Sequence, residues 1–252
     1  MDIDHNTQDT IVHQERNKKW KSYSWEFVML FLAVFCSFLA ELYLNYKVEK
    51  DLELEYMKSL VDDLGKDTAE ITAQINYIKN GLVPALDSST TLLYLDDLSD
   101  SDVRKMYEVV PLSIRYFNVT FEDRTESQLK YSGNLRLIRN KNVMDSILEY
   151  WKNIDVFKDP VMTGYTETRS ISKELIFSIL SSNYFEGKVM VGSLTKNKKP
   201  KLISSDKVLR IKLGNHLSNL QSQAEGPIQR NLHIIQAKAS QLIQMIKKAY
   251  AV

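Results

Sequence analysis

An apolar segment near the N-terminus constrains this chain more than any other feature of its sequence. Between Phe27 and Leu44 only Ser37 and Glu41 are polar. This stretch of 18 residues is long enough to cross a hydrocarbon core of roughly 30 Å as a helix. Aromatic residues stand at both of its ends, where their amphipathic rings favour the membrane–water interface. The sequence therefore predicts one transmembrane helix over residues 24–46.

A cleaved signal is the alternative interpretation of this segment. The polar tail that precedes it, residues 1–23, is long for a signal peptide, and no A-x-A cleavage site follows. The single cysteine, Cys36, follows Phe35, whereas a lipoprotein cleavage site requires a small residue at that position. We therefore expect an uncleaved anchor. With one cysteine no intramolecular disulfide can form, so the redox compartment stays open.

The basic residues that flank the anchor predict its orientation. Four precede it and three follow it: Arg16, Lys18, Lys19 and Lys21, then Lys47, Lys50 and Lys58. Basic residues accumulate on the cytoplasmic side of membrane helices. The tighter N-terminal cluster therefore favours a cytoplasmic N-terminus and a C-terminal domain outside the cytoplasm, and the opposite orientation stays open.

The rest of the chain, residues 47–252, is predicted to be an all-α stalk and bundle domain. With only 8 Gly and 5 Pro, the composition favours long helices over a turn-rich β architecture. We expect the transmembrane helix to continue into a long stalk helix that packs with later helices in an elongated helical bundle. The last helix should run antiparallel to residues 45–82 and return the C-terminus toward the membrane, without a second membrane span.

A heptad seam marks the stalk. Its members alternate in steps of four and three: Met57, Val61, Leu64, Thr68, Ile71, Ile75, Ile78 and Leu82. Such a seam is typical of helices that pack side by side, as in a coiled coil. It can pack against a later helix or pair two copies of the chain as a homo-oligomer. The faces between the seam positions carry charged residues, Asp63 and Asp67 among them.

Turn and cap signals divide the remainder. We expect a helix to restart at Pro84, Ser or Asp residues to cap a helix ahead of Val103, and a helix over Phe121–Tyr131 to end at Gly133. Further positions carry similar expectations. Asn134 caps a short turn, and Asn140 caps a helix. Asp159-Pro160 and Gly164 mark a loop, residues 188–194 are a loop or extended, and residues 196–201 form a basic loop that is solvated or contacts anionic lipid. Gly226-Pro227 kinks or interrupts the last helix.

No motif for catalysis, a cofactor or a metal is present in the sequence. It has no phosphate-binding loop and no G-x-S-x-G elbow, and its four histidines lack metal-ligand spacing. With 33 basic and 32 acidic residues the charge is too balanced for a nucleic-acid surface. We expect no enzyme, no cofactor and no nucleic-acid partner.

Five polar residues remain candidates for interaction. Glu41 is the ionisable residue within the apolar segment, expected at headgroup level or paired with a partner helix. The others belong to the central region: Arg124, Asn134, Arg136 and Arg139. The three arginines can cluster around an anion. Alternatively, the leucines of this motif pack inward while its Ser, Gly and Asn residues shape a corner between helices.

Three blocks of the chain resemble a family of uncharacterised bacterial single-pass membrane proteins, defined by a domain of unknown function. The first is FLAELYLNYKVEKDLELEYMKSLVDDLGKD; the second, and most specific, is SGNLRLIRNKNVMDSILEYW; the third is KLISSDKVLRIKLGN. The resemblance implies a mainly helical integral membrane protein of the bacterial cytoplasmic membrane, but no activity or site residues. It does not extend to the KVMVGS segment or the basic loop.

Two functions fit this organisation. The first is a membrane-anchored module that binds or assembles other envelope proteins on the periplasmic side. The second is a periplasmic sensor whose bundle binds a ligand and signals through a partner, since the chain has no second span leading to an output domain. A membrane-bound enzyme is a third and weaker possibility.

Overall fold

The computed structural model describes residues 5–188, 190, 192–196 and 198–252, with side chains from Tyr23 onward. The chain forms two compact units, Met1–Glu55 and Tyr56–Val252. The structure is 82% helical, and its described part contains no β-strand, which confirms the all-α prediction.

Eight α-helices are present in the described residues. Their bounds are α1 His5–Tyr77, α2 Val83–Leu93, α3 Asp100–Val109, α4 Arg124–Tyr131, α5 Lys141–Val156, α6 Met162–Ile179, α7 Lys207–Gln223 and α8 Gln229–Tyr250. Short 3₁₀ turns lie at Val110–Ile114, Asn134–Leu137, Ser182–Tyr184 and Glu186–Lys188.

The first unit consists of the N-terminal part of α1. Its side chains are exposed from Tyr23 to Lys50, the predicted transmembrane segment included. By length and apolar character this is the one described helix that can cross a membrane. The helix begins at His5, although we predicted a polar tail without periodic structure over residues 1–23. Those residues contain no Gly or Pro, and extending an existing helix requires no new nucleus.

The second unit is built on three long helical rods. Each rod joins two α-helices through a five-residue π-helical segment: Ile78–Leu82 joins α1 to α2, Phe157–Val161 joins α5 to α6, and Ala224–Ile228 joins α7 to α8. The segments of the first and second rods both contact the segment of the third. The widened turns of the three rods therefore lie at a common level of the bundle.

Prolines explain where these π-helical segments occur. Pro160 lies inside Phe157–Val161, and Pro227 lies inside Ala224–Ile228. Pro84 follows the end of Ile78–Leu82 by two residues. A proline lacks the N–H of the α-helical ladder, and a π turn inserts an extra residue that relieves the resulting clash. The loop predicted at Asp159-Pro160 and Gly164 is therefore wrong, because the rod continues through it. At Gly226-Pro227 the α-helical pattern is interrupted, as predicted.

The third rod runs antiparallel to the first within the second unit. The Gln236 amide donates to the Thr72 hydroxyl (2.7 Å), and the Tyr94 hydroxyl donates to the Asn215 side-chain oxygen (3.0 Å). The order of these contacts reverses between the two rods, which confirms the predicted antiparallel packing of residues 56–82 with the last helix. Along their length, α2 and α6 pack on α7, and α5 packs on α8.

The heptad seam is buried inside a single chain. Its members Met57, Leu64, Ile71, Ile78 and Leu82 are almost fully buried. The remaining three, Val61, Thr68 and Ile75, are half-buried. The seam thus supplies core contacts to the bundle, as the intramolecular interpretation predicted. Association of two copies stays a prediction.

Several caps agree with the sequence. Ser99 and Asp102 form a capping box at the start of α3, and the Asn140 side chain accepts from the Val143 N–H. Gly133 adopts a left-handed conformation with φ 69° and ends the preceding helix. The helix predicted to begin at Phe121 begins instead at Arg124. Residues 121 and 122 stay outside the helix because the Phe121 ring packs on Phe157 and the Glu122 N–H donates to Asp67, as described next.

Candidate interaction site along an extended segment

Residues 115–122 form an extended segment that runs from the 3₁₀ turn Val110–Ile114 to Asp123, the N-cap residue of α4. Burial alternates along it. Phe117, Val119 and Phe121 are buried, whereas the intervening side chains, Tyr116, Asn118 and Thr120, are exposed. This period of two is the pattern of a β-strand with one face on a core. Here that face packs on helices, and no strand pairs with its backbone in the described structure.

A buried carboxylate fixes the C-terminal end of the segment. Asp67 of α1, 2% exposed, accepts a hydrogen bond from the Glu122 backbone N–H (2.7 Å) and another from the Tyr150 hydroxyl (2.6 Å). Burial raises the pKa of Asp67, and the hydrogen bonds from Tyr150 and Glu122 counteract part of that rise. This carboxyl group therefore ties the extended segment and α5 to α1.

A second buried carboxylate, Asp63, lies one turn earlier on α1 and holds the start of α4. It accepts from the Arg124 guanidinium (2.7 Å) and from the Thr125 backbone N–H (3.2 Å) and hydroxyl. Arg124 also reaches Asp62 at 3.4 Å. The heptad pattern places Asp63 and Asp67 between the seam positions, and the structure shows that both are buried there. A charged side chain can be buried when several donors satisfy it.

The N-terminal end of the segment is held by α6. The Arg169 guanidinium donates to the Ile114 carbonyl (2.8 Å) and lies over the Tyr116 ring (5.3 Å). Beneath it, the Phe117 and Tyr165 rings meet edge to face with centroids 5.1 Å apart. Further along, the Phe121 and Phe157 rings meet in the same way at 6.0 Å. Aromatic contacts thus fasten the buried face to the second rod.

Two open grooves flank the segment. The larger, about 680 Å³, separates it from α6 and the preceding π-helical turn. Its walls combine apolar, hydroxyl and charged side chains: Tyr116, Asn118 and Val119 face Phe157, Lys158, Met162, Thr163, Thr166, Glu167, Ser170 and Ile171. The smaller, about 440 Å³, lies on the α1 side and is bordered by Lys66, Asp67, Ala69, Glu70, Thr120 and Glu122. The larger groove falls in the size range of ligand sites.

The candidate residues taken from the sequence lie in different places. Glu41 is exposed on the apolar part of α1. Arg124 is engaged by the aspartates of α1, and the Asn134 amide donates to the Tyr56 hydroxyl (2.8 Å). Asn134 is therefore not the cap of the 3₁₀ turn Asn134–Leu137. Gly133 stands at the N-cap position of this turn, and no side chain caps it. Arg136 and Arg139 are exposed.

The extended segment itself escaped the sequence interpretation. Its signal is present in the chain as the alternation of aromatic or apolar with polar residues in YFNVTF. Its anchors, Asp63, Asp67 and Tyr150, carry no local signal, because their partners lie more than 50 residues away. Among the described residues, no group of three or more His, Cys, Asp or Glu side chains is arranged to hold a metal ion.

Comparison of the chain with protein-family models, with curated proteins and with solved structures finds no match. The resemblance noted from the sequence blocks stays a prediction. The functional conclusion therefore depends on the apolar helix and on the geometry of the bundle.

Proposed function

We propose that this chain is a single-pass protein of the bacterial cytoplasmic membrane whose periplasmic helical bundle binds other envelope proteins. The observation that carries the proposal is the extended segment 115–122, held at both ends and open along its length to a groove of about 680 Å³. A fixed recognition surface next to a pre-formed groove is a common feature of protein-binding modules. The exposed apolar helix supplies the anchor in the lipid bilayer.

Exposed apolar side chains support the same proposal. At the groove, Tyr116 is 60% exposed and Ile171 45%. Neighbouring exposed apolar groups on the surface of a folded unit are characteristic of interaction sites. The charged side chains at its walls, Lys158 and Glu167, are both exposed.

Two measurements test the proposal. A reporter that is active only outside the cytoplasm, fused after Val252, should be active, and an inactive but expressed fusion would contradict the periplasmic location. A photocrosslinking amino acid at Tyr116 should capture envelope proteins in cells, and the same residue at Tyr131, which is 90% exposed on α4, serves as the control. Equal capture at both positions, or none at Tyr116, would contradict a binding role for the groove.

The sensor function is the second candidate, favoured by the volume of the same groove. A ligand that binds only the folded state stabilises it by RT ln(1+[L]/Kd). A periplasmic metabolite fraction should then raise the melting temperature of the full chain in detergent. Substituting Ser170→Trp, which fills the groove from its exposed wall, should abolish that rise. A rise that survives the substitution would locate the ligand elsewhere.

A further inference from the structure

The backbone of residues 116–121 is unpaired. No hydrogen bond from another described residue reaches its N–H or C=O groups. At the same time its position is fixed, because Phe117, Val119 and Phe121 are buried. An extended, immobilised backbone with free donors and acceptors has the properties of the edge of a sheet, and such edges accept another strand.

The direction of the backbone groups alternates along the extended segment, and this alternation indicates which of its two edges is open to a ligand. The Glu122 N–H points to Asp67 on α1. Backbone groups of successive residues in an extended chain face opposite sides, so those of residues 116, 118 and 120 also face α1. The N–H and C=O groups of Phe117, Val119 and Phe121 therefore face α6, across the larger groove.

The charges at the two ends of this groove are complementary to an ordered pair of charges in a ligand. At one end of the groove, Lys158 lies over the Phe121 ring (5.5 Å). Glu167 lines the other end, where Arg169, two residues further along, lies over the Tyr116 ring. Neither Lys158 nor Glu167 forms an ion pair with another described residue. They are nine positions apart, which is about 14 Å along the rod at the α-helical rise. An extended peptide covers that distance in about four residues.

We infer that the groove binds an extended segment of a partner protein, which adds to residues 117–121 as a second β-strand. Main-chain hydrogen bonds to Phe117, Val119 and Phe121 hold the peptide. An acidic side chain faces Lys158, and a basic side chain four positions away faces Glu167. Apolar side chains on the other face of the peptide pack on Met162 and Ile171. This inference rests on the proposed protein-binding function and specifies its mode.

The test uses the full chain in detergent micelles and two fluorescein-labelled synthetic peptides. One is Thr-Glu-Val-Thr-Val-Lys-Thr, and the other has Glu and Lys exchanged. We expect one of them to bind in fluorescence anisotropy. Methylating the amide nitrogens along one edge of that peptide should weaken binding about a hundredfold, because about three hydrogen bonds are lost. Methylating the opposite edge should leave binding unchanged.

Variants of the chain locate the peptide. Ser170→Trp should abolish binding by filling the groove. The double variant Lys158→Glu with Glu167→Lys should switch the preference to the other peptide, which a mere loss of folding would not produce.

Three outcomes would overturn the inference. Neither peptide binds; or the peptide binds with the same affinity whichever of its edges is methylated; or the peptide-free chain forms dimers that Ser170→Trp dissociates. The last outcome would show that a second copy occupies the groove. If the peptides do not bind but the crosslinker at Tyr116 still captures proteins in cells, only the strand-addition mode is contradicted. If the peptides do not bind and the crosslinker captures no protein, the protein-binding function is contradicted as well.

Discussion

The Tyr150 hydroxyl donates a 2.6 Å hydrogen bond to the carboxylate of Asp67, inside the bundle. The two residues are 83 positions apart in the chain and belong to α5 and α1. Because the same carboxylate also accepts the Glu122 N–H, one side chain joins two rods and the extended segment. The position of the proposed binding edge therefore depends on this contact.

Removing the donor should destabilise the fold. Tyr150→Phe keeps the ring in place but leaves one oxygen of a buried carboxyl group without its partner, which costs about 1–3 kcal/mol. Urea denaturation of the full chain in detergent measures this loss. Tyr131→Phe is the matched control, since Tyr131 is 90% exposed, and should leave the free energy of unfolding unchanged. Equal effects of the two substitutions would contradict the structural role of Tyr150.

Stability should fall with rising pH because of Asp67. Burial raises its pKa in the folded state above the ordinary value of 3.8, so the folded state holds the proton more tightly than the unfolded state. The stabilising contribution is complete below pH 3.8 and is lost as the pH rises through the higher folded pKa.

The variant Asp67→Asn isolates this effect because its side chain cannot ionise. The free energy of unfolding of the original chain, minus that of the variant, should decrease from about pH 4 upward and then level off. Denaturation at a series of pH values measures the difference. A difference that grows with pH would mean that the hydrogen bonds from Tyr150 and Glu122 outweigh burial.

Two glycine substitutions should have opposite effects. Gly65 lies inside α1 with no atom near the position of an added Cβ, so Gly65→Ala should stabilise the chain by about 1 kcal/mol. Gly133 has a positive φ of 69°, where a Cβ is strained, so Gly133→Ala should destabilise it by about 1 kcal/mol. Melting temperatures of the two variants provide the comparison, and a shift in the same direction for both would contradict the backbone geometry.

The stalk core should distinguish two neighbouring isoleucines. Ile71 is fully buried and Ile75 is half-buried. Ile71→Asp places an unpaired charge in the core and should unfold the bundle, whereas Ile75→Asp should leave it folded with reduced stability. Circular dichroism on the purified chain reports both. An unchanged melting temperature for Ile71→Asp would refute the packing of the stalk.

The residues of the stalk show how far sequence patterns reach. The heptad spacing of Met57, Leu64 and Ile71 predicted their burial, because helical periodicity places apolar residues on one face whatever the partner. The same pattern did not reveal that Asp63 and Asp67 are buried. Helical periodicity carries no information on their hydrogen-bond donors, which come from residues 122–125 and from Tyr150.

The rods show the same limit in the backbone. Proline in a helical pattern predicted a loop at Asp159-Pro160, since proline removes a hydrogen bond and clashes with the preceding turn. In the structure this position is a π-helical turn that packs against the corresponding segment of the third rod, and the rod continues into α6. The proline predicted that the α-helical hydrogen-bond pattern is interrupted at this position. That the interruption is a π-helical turn and not a loop could be seen only in the folded structure.

By itself, the sequence determined the apolar N-terminal helix, the all-α class, the seam and the caps at Ser99, Gly133 and Asn140, since each depends on residues within a few turns of one another. Only the tertiary structure decided that residues 115–122 stay extended, that two aspartates are buried, and that a groove opens beside the unpaired backbone of this segment. Those features require donors, rings and walls from α1, α5 and α6 to meet in space, and no local pattern specifies such a meeting.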